Sequence, residues 1–413
     1  MINLGCTRNL VDAQIILGNL KRQGWTIADV DHSEVVIINT CAFVEDAKKE
    51  SIEAIWDLIE SKRKGKIKKV IVAGCLTERY GQELLKEFKD IDAIVGVQQL
   101  ERDHVPEQVL LTANHSAYLK ICESCYNACS FCVIPHIKGR FISRRIDSIV
   151  EEVRQMDQRG VKELNIIGQD ITAYGIDIYK EKSLTRLLRE IVSVSPHIPW
   201  IRLLYTFPGH VTDDLIEFIA EEEKICNYID LPLQHINDRI LKRMNRNITK
   251  DQTLRLIEKI RKKIPRGILR TTLITGFPSE TEEEFEELLR FIKEVRFERL
   301  GVFAYSREEG TSAYEMKDQI PENIKKQRRD ILMSVQQDIS RGYQESFIGQ
   351  KIPVMIDESV NDSKDTYLGR TQHDAPDVDG VVFVHSPKPL PPGDFVSVRI
   401  VDAYEYDLVG EVL

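Results

Sequence analysis

Cys6, Cys41 and Cys75 lie 35 and 34 residues apart, and each follows a short apolar run. The runs fall at 2–4, 35–38 and 70–73, with a fourth at 93–95, and helical patterns lie between them. In the 43–59 pattern, Ile52, Ile55, Trp56 and Ile59 recur at helical spacing. Such a repeat is one strand plus one helix, so the spacing predicts a parallel sheet with right-handed crossovers. Parallel strands point the same way. The three thiols therefore emerge along one carboxyl edge, where α/β sheets bind ligands. The plainer reading is three small buried residues, since free cysteine is commonly buried.

The alternation resumes over 117–310, with strands predicted at 118–121, 163–167, 201–205, 228–231, 269–274 and 300–305. Six βα units make an incomplete (β/α)6 barrel with an open side, and its active residues belong on the loops after the strands. Those loops are Gly168-Gln169-Asp170, Thr206-Phe207-Pro208, Pro232-Leu233-Gln234-His235 and Thr275-Gly276-Phe277-Pro278. Thr281 with Glu284 forms a capping box ahead of an apolar face at Phe285, Leu288, Leu289 and Ile292. Residues 105–116 read as a linker. Residues 321–347 read as a long charged helix, with Ile331, Val335, Ile339, Tyr343 and Phe347 as a docking stripe. From 351 onward, alternating segments at 352–356, 381–385 and 395–401 between Pro and Gly turns predict a small antiparallel β-barrel. The expected fold class is thus α/β, with units at 1–105, 112–337 and 338–413.

Composition narrows the function. The chain has 413 residues and a net charge of −9. Residues 338–413 carry 14 acidic against 6 basic side chains, a balance of −8. A generally basic nucleic-acid binder is excluded. No apolar run approaches the ~18 residues that span a membrane. The stretch Met1–Cys6 lacks a basic segment followed by an apolar one, so the chain reads as cytosolic. Eight cysteines are too few for a disulfide scaffold of this length; clustered cysteines in a reducing compartment bind metal or do chemistry.

The densest cluster is Cys125-Tyr-Asn-Ala-Cys129-Ser-Phe-Cys132, directly after a predicted strand. Tetrahedral zinc needs a fourth ligand, for which Cys122 and His136 are near. Three cysteines alone suit an iron–sulfur cubane with one iron open to a small ligand.

This CxxxCxxC with an aromatic before its last cysteine resembles the signature of the radical S-adenosylmethionine enzymes. The surrounding Leu119-Lys120-Ile121, Val133-Ile134-Pro135, Gly139-Arg140 and Ser143-Arg144 resemble its methylthiotransferase branch. So do Leu231-Pro232-Leu233-Gln234-His235, Tyr305-Ser306 and Gly310-Thr311. That branch has a three-cysteine N-terminal domain, a radical domain and a C-terminal TRAM barrel (OB-like), so the resemblance covers nearly the whole chain. It departs at Ser124, where the family usually has Gly, and at Cys122, where it has a small residue.

The resemblance implies two 4Fe-4S clusters, on Cys125, Cys129 and Cys132 and on Cys6, Cys41 and Cys75. It implies that the first chelates S-adenosylmethionine and yields a 5′-deoxyadenosyl radical, and that the second handles a sulfur methylated by another S-adenosylmethionine. The Phe131 backbone would contact the adenine. Gln169 and Asp170 are candidate cofactor contacts or plain loop hydrogen bonders. No catalytic side chain is assigned. Cys226 reads as core, His235 as a satisfied loop histidine rather than a catalyst, and Arg140, Arg144 and Arg145 as either a steering patch or an ion-paired face.

Methylthiotransferases divide into a transfer-RNA branch and a RimO-type branch acting on an aspartate of ribosomal protein S-twelve. A barrel at −8 repels phosphate and attracts a basic protein. The 369–380 segment, Asn39-Thr40-Cys41-Ala42-Phe43 and Thr172-Ala173-Tyr174-Gly175 resemble the second branch. The implied partners are ribosomal protein S-twelve or the small ribosomal subunit, and an electron donor such as flavodoxin or ferredoxin, with no membrane and no nucleic acid as direct substrate. The other readings are a transfer-RNA methylthiotransferase and a non-enzymatic iron–sulfur or zinc binding module.

Overall fold

The computed structural model describes residues 1–99, 109–360 and 365–413. Part of the expected linker, 105–108, therefore lies outside the described residues.

Four parallel strands, β1 (Ile2–Asn3), β2 (Val35–Thr40), β3 (Lys69–Gly74) and β4 (Ala93–Gly96), lie side by side in chain order. Helices α1 (Thr7–Arg22), α2 (Glu45–Arg63) and α3 (Cys75–Glu87) follow the first three. The register pairs Asn3 with Asn39 and Thr40 with Gly74, so the residues after these strands share one edge. Ile38, Val70, Val72, Ile55, Ile59 and Leu76 are fully buried between sheet and helices. Each such side chain contributes about 1.5–3 kcal/mol. Ile52 and Trp56, by contrast, stay largely exposed on α2.

The second sheet is parallel and open, in the order β12-β11-β10-β9-β8-β5. Its strands are β5 (Ser116–Lys120), β8 (Glu163–Ile167), β9 (Trp200–Leu203), β10 (Ile225–Asp230), β11 (Ile268–Thr275) and β12 (Arg299–Ala304). A short antiparallel pair, β6 (Cys122–Glu123) and β7 (Ile142–Ser143), flanks α4 (Ile134–Lys138). Helices α5 (Ile146–Gln158), α6 (Leu184–Val194), α7 (Asp213–Glu221), α9 (Lys250–Lys263) and α10 (Glu282–Val295) cover the outer face, while α8 (Asp238–Arg243) packs its Ile240 in a separate cluster with Phe277 and Tyr305. This is the expected partial barrel. The Thr281–Glu284 capping box forms at the start of α10, and Thr249 with Gln252 forms another at α9.

Helix α11 (Glu322–Glu345) is continuous across residue 337. Its buried face includes Leu332, Gln336, Ile339, Ser340 and Gln344; Ile339 belongs to the predicted stripe, whose Val335, Tyr343 and Phe347 are half-buried against the core. Ile331 is exposed. Residues four apart drift about 40° per step round a 3.6-residue turn, so a stripe of that period cannot stay on one face.

The C-terminal module is a closed barrel of β13 (Lys351–Ser359), β14 (Thr366–Arg370), β15 (Val382–His385), β17 (Leu408–Val412) and β16 (Phe395–Ala403), in that order. It is not wholly antiparallel, because β15 and β17 run parallel. A ring of five strands cannot alternate direction all the way round, so one pair must be parallel.

This module docks on the amino ends of the second sheet. Arg370 reaches Glu163 at 2.9 Å and Asp357 at 2.8 Å, and Arg202 reaches Glu163 at 2.9 Å. Asp374 meets Arg299 at 2.5 Å, Tyr118 donates to Asp377 at 3.1 Å and Tyr228 donates to Asp379 at 2.5 Å. Acids counted above as available to a partner are thus engaged inside the molecule. The −8 balance overstates what a partner meets, because four of its carboxylates face arginines, tyrosines or His115.

Candidate functional site

The N-terminal thiols gather where the sequence placed them. Gly5, in the left-handed region at φ 89°, turns the chain so that Cys6 caps α1. A Cβ on Gly5 would stand 2.8 Å from the Cys41 Cβ, so only glycine admits Cys41 behind it. Cys41 follows β2 and exchanges hydrogen bonds with the Ser51 hydroxyl of α2, both at 3.0 Å. Cys75 opens α3 and donates to the Asn9 side-chain oxygen at 3.3 Å. The Asn9 amide donates to the Thr40 carbonyl at 2.9 Å. Asn9, which the sequence reading passed over, ties all three strand ends together.

The second triad lies on the loop after β5 and β6. Ser124 occupies the left-handed region at φ 63°, a conformation that glycine adopts more readily than other residues. Its hydroxyl donates to the Gly139 carbonyl at 2.5 Å. Asn127 donates to Asp170, Asn245 to the Ala128 carbonyl and Ser130 N–H to the Met244 carbonyl, at 2.7, 2.6 and 3.0 Å. The Arg246 guanidinium comes within 3.7 Å of the Cys129 Sγ.

Both triads open onto one cavity of about 270 Å³. Cys6, Cys75, Cys125, Cys129 and Cys132 line it, while Cys41 is buried behind Gly5. Phe131 and Gln169 also line it, as do Thr206, Phe207, Pro232 and Gln234 from the expected loops. The loop at 275–278 does not; Phe277 is buried beside Ile240 and Met244. Burial pushes the Cys75 and Cys132 thiols up to about 12 and Cys125 to about 11. Burial also raises Cys41. At Cys6 burial is outweighed by the Arg8 guanidinium and the Asn9 N–H, which hold the thiol below its ordinary value. Metal loading must therefore expel protons.

The donor set suits iron–sulfur clusters. The cavity wall offers thiols and no histidine or carboxylate, the soft donors that such clusters take. Among the described residues, no three Cys, His, Asp or Glu side chains converge on a single-ion site. Gln169 presents a buried amide with neither oxygen nor nitrogen partnered, as a cofactor contact would. Asp170 is different. Its carboxylate already accepts from Thr172 N–H at 3.0 Å, from Asn127 at 2.7 Å and pairs with His210 at 2.7 Å. It orients the cysteine loop and does not line the cavity.

Other candidates resolve as follows. Cys122 is buried beneath Gly168, where a Cβ would meet its Sγ at 2.5 Å, and His136 is exposed; neither lines the cavity. Cys226 is core. His235 is buried, accepts from Asn237 N–H at 3.0 Å and stands 3.6 Å from Glu280. Arg144 pairs with Glu152 at 2.6 Å, Arg145 pairs with Asp147 at 2.8 Å and Arg140 is exposed. Sequence reasoning missed the charges that join the two domains. Asp12 of α1 is held by Lys120 and by Lys138 at 2.6 Å, and Glu308 by Arg79 at 3.0 Å and Lys48 at 3.1 Å. Asp12 and Lys120 carry one sequence signal, a charge inside an otherwise apolar segment; Glu308, Arg79 and Lys48 carry none.

Comparison with known proteins agrees with this architecture. The model of the Radical SAM superfamily matches residues 119–292, that of the Uncharacterized protein family UPF0004 residues 1–96 and that of the TRAM domain residues 348–413. Solved structures of the radical S-adenosylmethionine methyltransferase TsrM from Kitasatospora setae share the fold. In one, the TM-score is 0.55 at 15% identity, over 76% of each chain. The chain is a radical S-adenosylmethionine enzyme of three domains. Its full length also matches the ribosomal protein uS12 methylthiotransferase RimO of Thermoanaerobacter sp. (strain X514), 47% identical over 100% of this chain and 99% of the relative. The RimO of Caldanaerobacter subterraneus subsp. tengcongensis is 48% identical over the same shares. The chain belongs to the RimO family of methylthiotransferases.

Proposed function

We propose that this chain attaches a methylthio group to the β-carbon of an aspartate in ribosomal protein uS12. The observation that carries the reading is the pair of cysteine triads, borne by two domains, opening onto one cavity. Cys125, Cys129 and Cys132 would hold one 4Fe-4S cluster, and Cys6, Cys41 and Cys75 the other. When bound, the clusters and S-adenosylmethionine supply the electron, the radical, the sulfur and its methyl group.

The chain's own residues do the rest. Gln169 and the Phe131 backbone would hold the S-adenosylmethionine, and Asp170, through Asn127, sets the loop that carries its cluster. Asn9 fixes the spacing of the N-terminal thiols. Ile134, Ile137, Phe43 and Phe207 give the cavity apolar walls that limit water, which protects a reactive radical. Among the described residues no helix is long and apolar enough to cross a membrane, in keeping with work on ribosomal protein in the cytoplasm. Flavodoxin or ferredoxin would supply electrons. The working units are 1–105 for the sulfur cluster, 112–337 for radical formation and 338–413 for substrate recognition.

Relatives named as uS12 methylthiotransferases at 43–48% identity favour the protein substrate over transfer RNA. Exposed Glu358, Asp394, Asp402 and Glu411 on the barrel keep part of the charge argument in force. The test is a competition. Anaerobically loaded enzyme, reductant and S-adenosylmethionine are given uS12 and unmodified transfer RNA together, and both are read by mass spectrometry. A methylthio group on the aspartate is expected; one on an RNA base would overturn the assignment.

A further inference from the structure

Arg8 of the N-terminal domain both adjoins its cysteine triad and grips the radical domain's cofactor loops. It stands two residues after Cys6, in the first turn of α1. Its guanidinium donates to the Gly168 carbonyl at 3.0 Å and lies 4.2 Å above the Tyr205 ring. Gly168 precedes Gln169, and Tyr205 lines the cavity, as Arg8 does. Tyr205 is fixed in turn. It adopts the left-handed region at φ 65°, with its N–H on Asp230 at 2.8 Å. The flat cation is therefore clamped between an aromatic face and a carbonyl, a site that suits arginine and that a lysine fills incompletely.

The cavity wall around Arg8 contains no carboxylate to neutralise it. Glu123 acts on it from farther away, and that carboxylate is held by Lys120 at 2.6 Å. Arg8 stands in the one cavity wall that carries Cys6 and Cys75 of the first triad and Cys125, Cys129 and Cys132 of the second, so its charge faces both. A fixed cation beside two thiolate-held clusters favours the electron-rich state of each, because added negative charge is stabilised in a poorly solvated space.

We propose that Arg8 is an electrostatic positioning residue shared by both metal centres: it raises the reduction potential of the N-terminal cluster, and less strongly that of the radical cluster, while locking the two domains in register through Gly168 and Tyr205. The proposal rests on the assignment of Cys6, Cys41 and Cys75 as ligands of a second cluster.

The test uses the full-length protein with both clusters loaded, as wild type, R8Q, R8K and C6A. Iron and sulfide content come first. C6A should lose one cluster's worth, and if it keeps both, the ligand assignment fails and not the role of Arg8. Potentiometric titration followed by electron paramagnetic resonance then reads each centre. R8Q should keep both clusters and shift the one-electron equilibrium of the N-terminal cluster about tenfold toward oxidised, or ~59 mV more negative. The radical cluster should shift in the same direction by less. R8K should recover part of the shift, since it restores charge without the stacked fork. If potentials in R8Q equal those of wild type, or if R8K matches R8Q, the proposal is overturned. A destabilised fold would lower the melting temperature of R8Q and R8K alike without ordering their potentials by charge.

Discussion

Arg79 of α3 and Glu308, on the loop after β12, meet at 3.0 Å across the seam between the first and second sheets. Lys48 of α2 joins them at 3.1 Å, and the Arg79 guanidinium also donates to the Ala42 and Glu309 carbonyls at 2.9 and 2.7 Å. Both side chains of the pair are nearly buried, so truncating one leaves the other uncompensated at a cost of about 3–5 kcal/mol. We predict that E308A loosens the seam without touching the radical loop. Cleavage of S-adenosylmethionine to deoxyadenosine should persist within about threefold, while methylthio transfer falls at least tenfold, about 1.4 kcal/mol. Parallel loss of both activities would show that the clamp does not act on the facing of the two triads.

The division between triads predicts a split in iron content. Alanine at Cys125, Cys129 or Cys132 should remove one cluster and abolish reductive cleavage of S-adenosylmethionine. Alanine at Cys41 or Cys75 should remove the other cluster and leave cleavage in place. C122A should leave iron and sulfide unchanged, since Cys122 lies buried beneath Gly168 and outside the cavity wall.

Gln169 keeps an unpartnered buried amide, which costs the empty protein about 1–3 kcal/mol. Q169L should therefore raise the melting temperature of the cofactor-free protein. It should also weaken S-adenosylmethionine binding about tenfold in equilibrium titration, about 1.4 kcal/mol. Unchanged affinity would mean that the amide does not face the cofactor.

Acid should loosen the C-terminal barrel in two phases. Burial pushes the Glu163 carboxyl up, but Arg370 and Arg202 outweigh it and hold the group at about 2. Its stabilisation is present above the ordinary carboxyl range and is lost as pH falls through that range toward 2. Burial lowers His373 to about 4, so the folded state resists its protonation. That contribution is intact above the ordinary histidine value of 6.5 and is lost as pH falls from there toward 4. Melting temperature should drop in both windows, and H373Q should remove only the upper one.

Much of the fold was legible because its signals are local. Apolar runs, capping boxes and Pro/Gly turns placed nearly every strand of both sheets to within two residues or so, and cysteine spacing placed both triads. The carboxyl-edge argument brought Cys6 and Cys75 to one cavity wall, and Gln169 came with its loop. What stayed hidden depends on distant contacts. Nothing near Asp374 or Asp379 in the sequence shows that Arg299 and Tyr228 meet them, so barrel charge was read as surface charge. Nothing near Glu308 names Arg79. The α11 stripe buried Ile339 but left Ile331 in solvent, since a four-residue period drifts off one face. Asp170 was grouped with Gln169 by adjacency, yet successive side chains on that loop point differently, one into the cavity and one into a hydrogen-bonded knot with Asn127 and His210.

The central claim is that two cysteine triads from separate domains serve one cavity of about 270 Å³. Its most direct test is magnetic. The loaded protein, fully reduced, is measured by electron paramagnetic resonance beside the C75A and C125A variants, each expected to hold one cluster. The account predicts that the wild-type spectrum is broadened and split by spin coupling between two neighbouring clusters, and is not the sum of the two variants. A wild-type spectrum equal to that sum would place the clusters apart and contradict it.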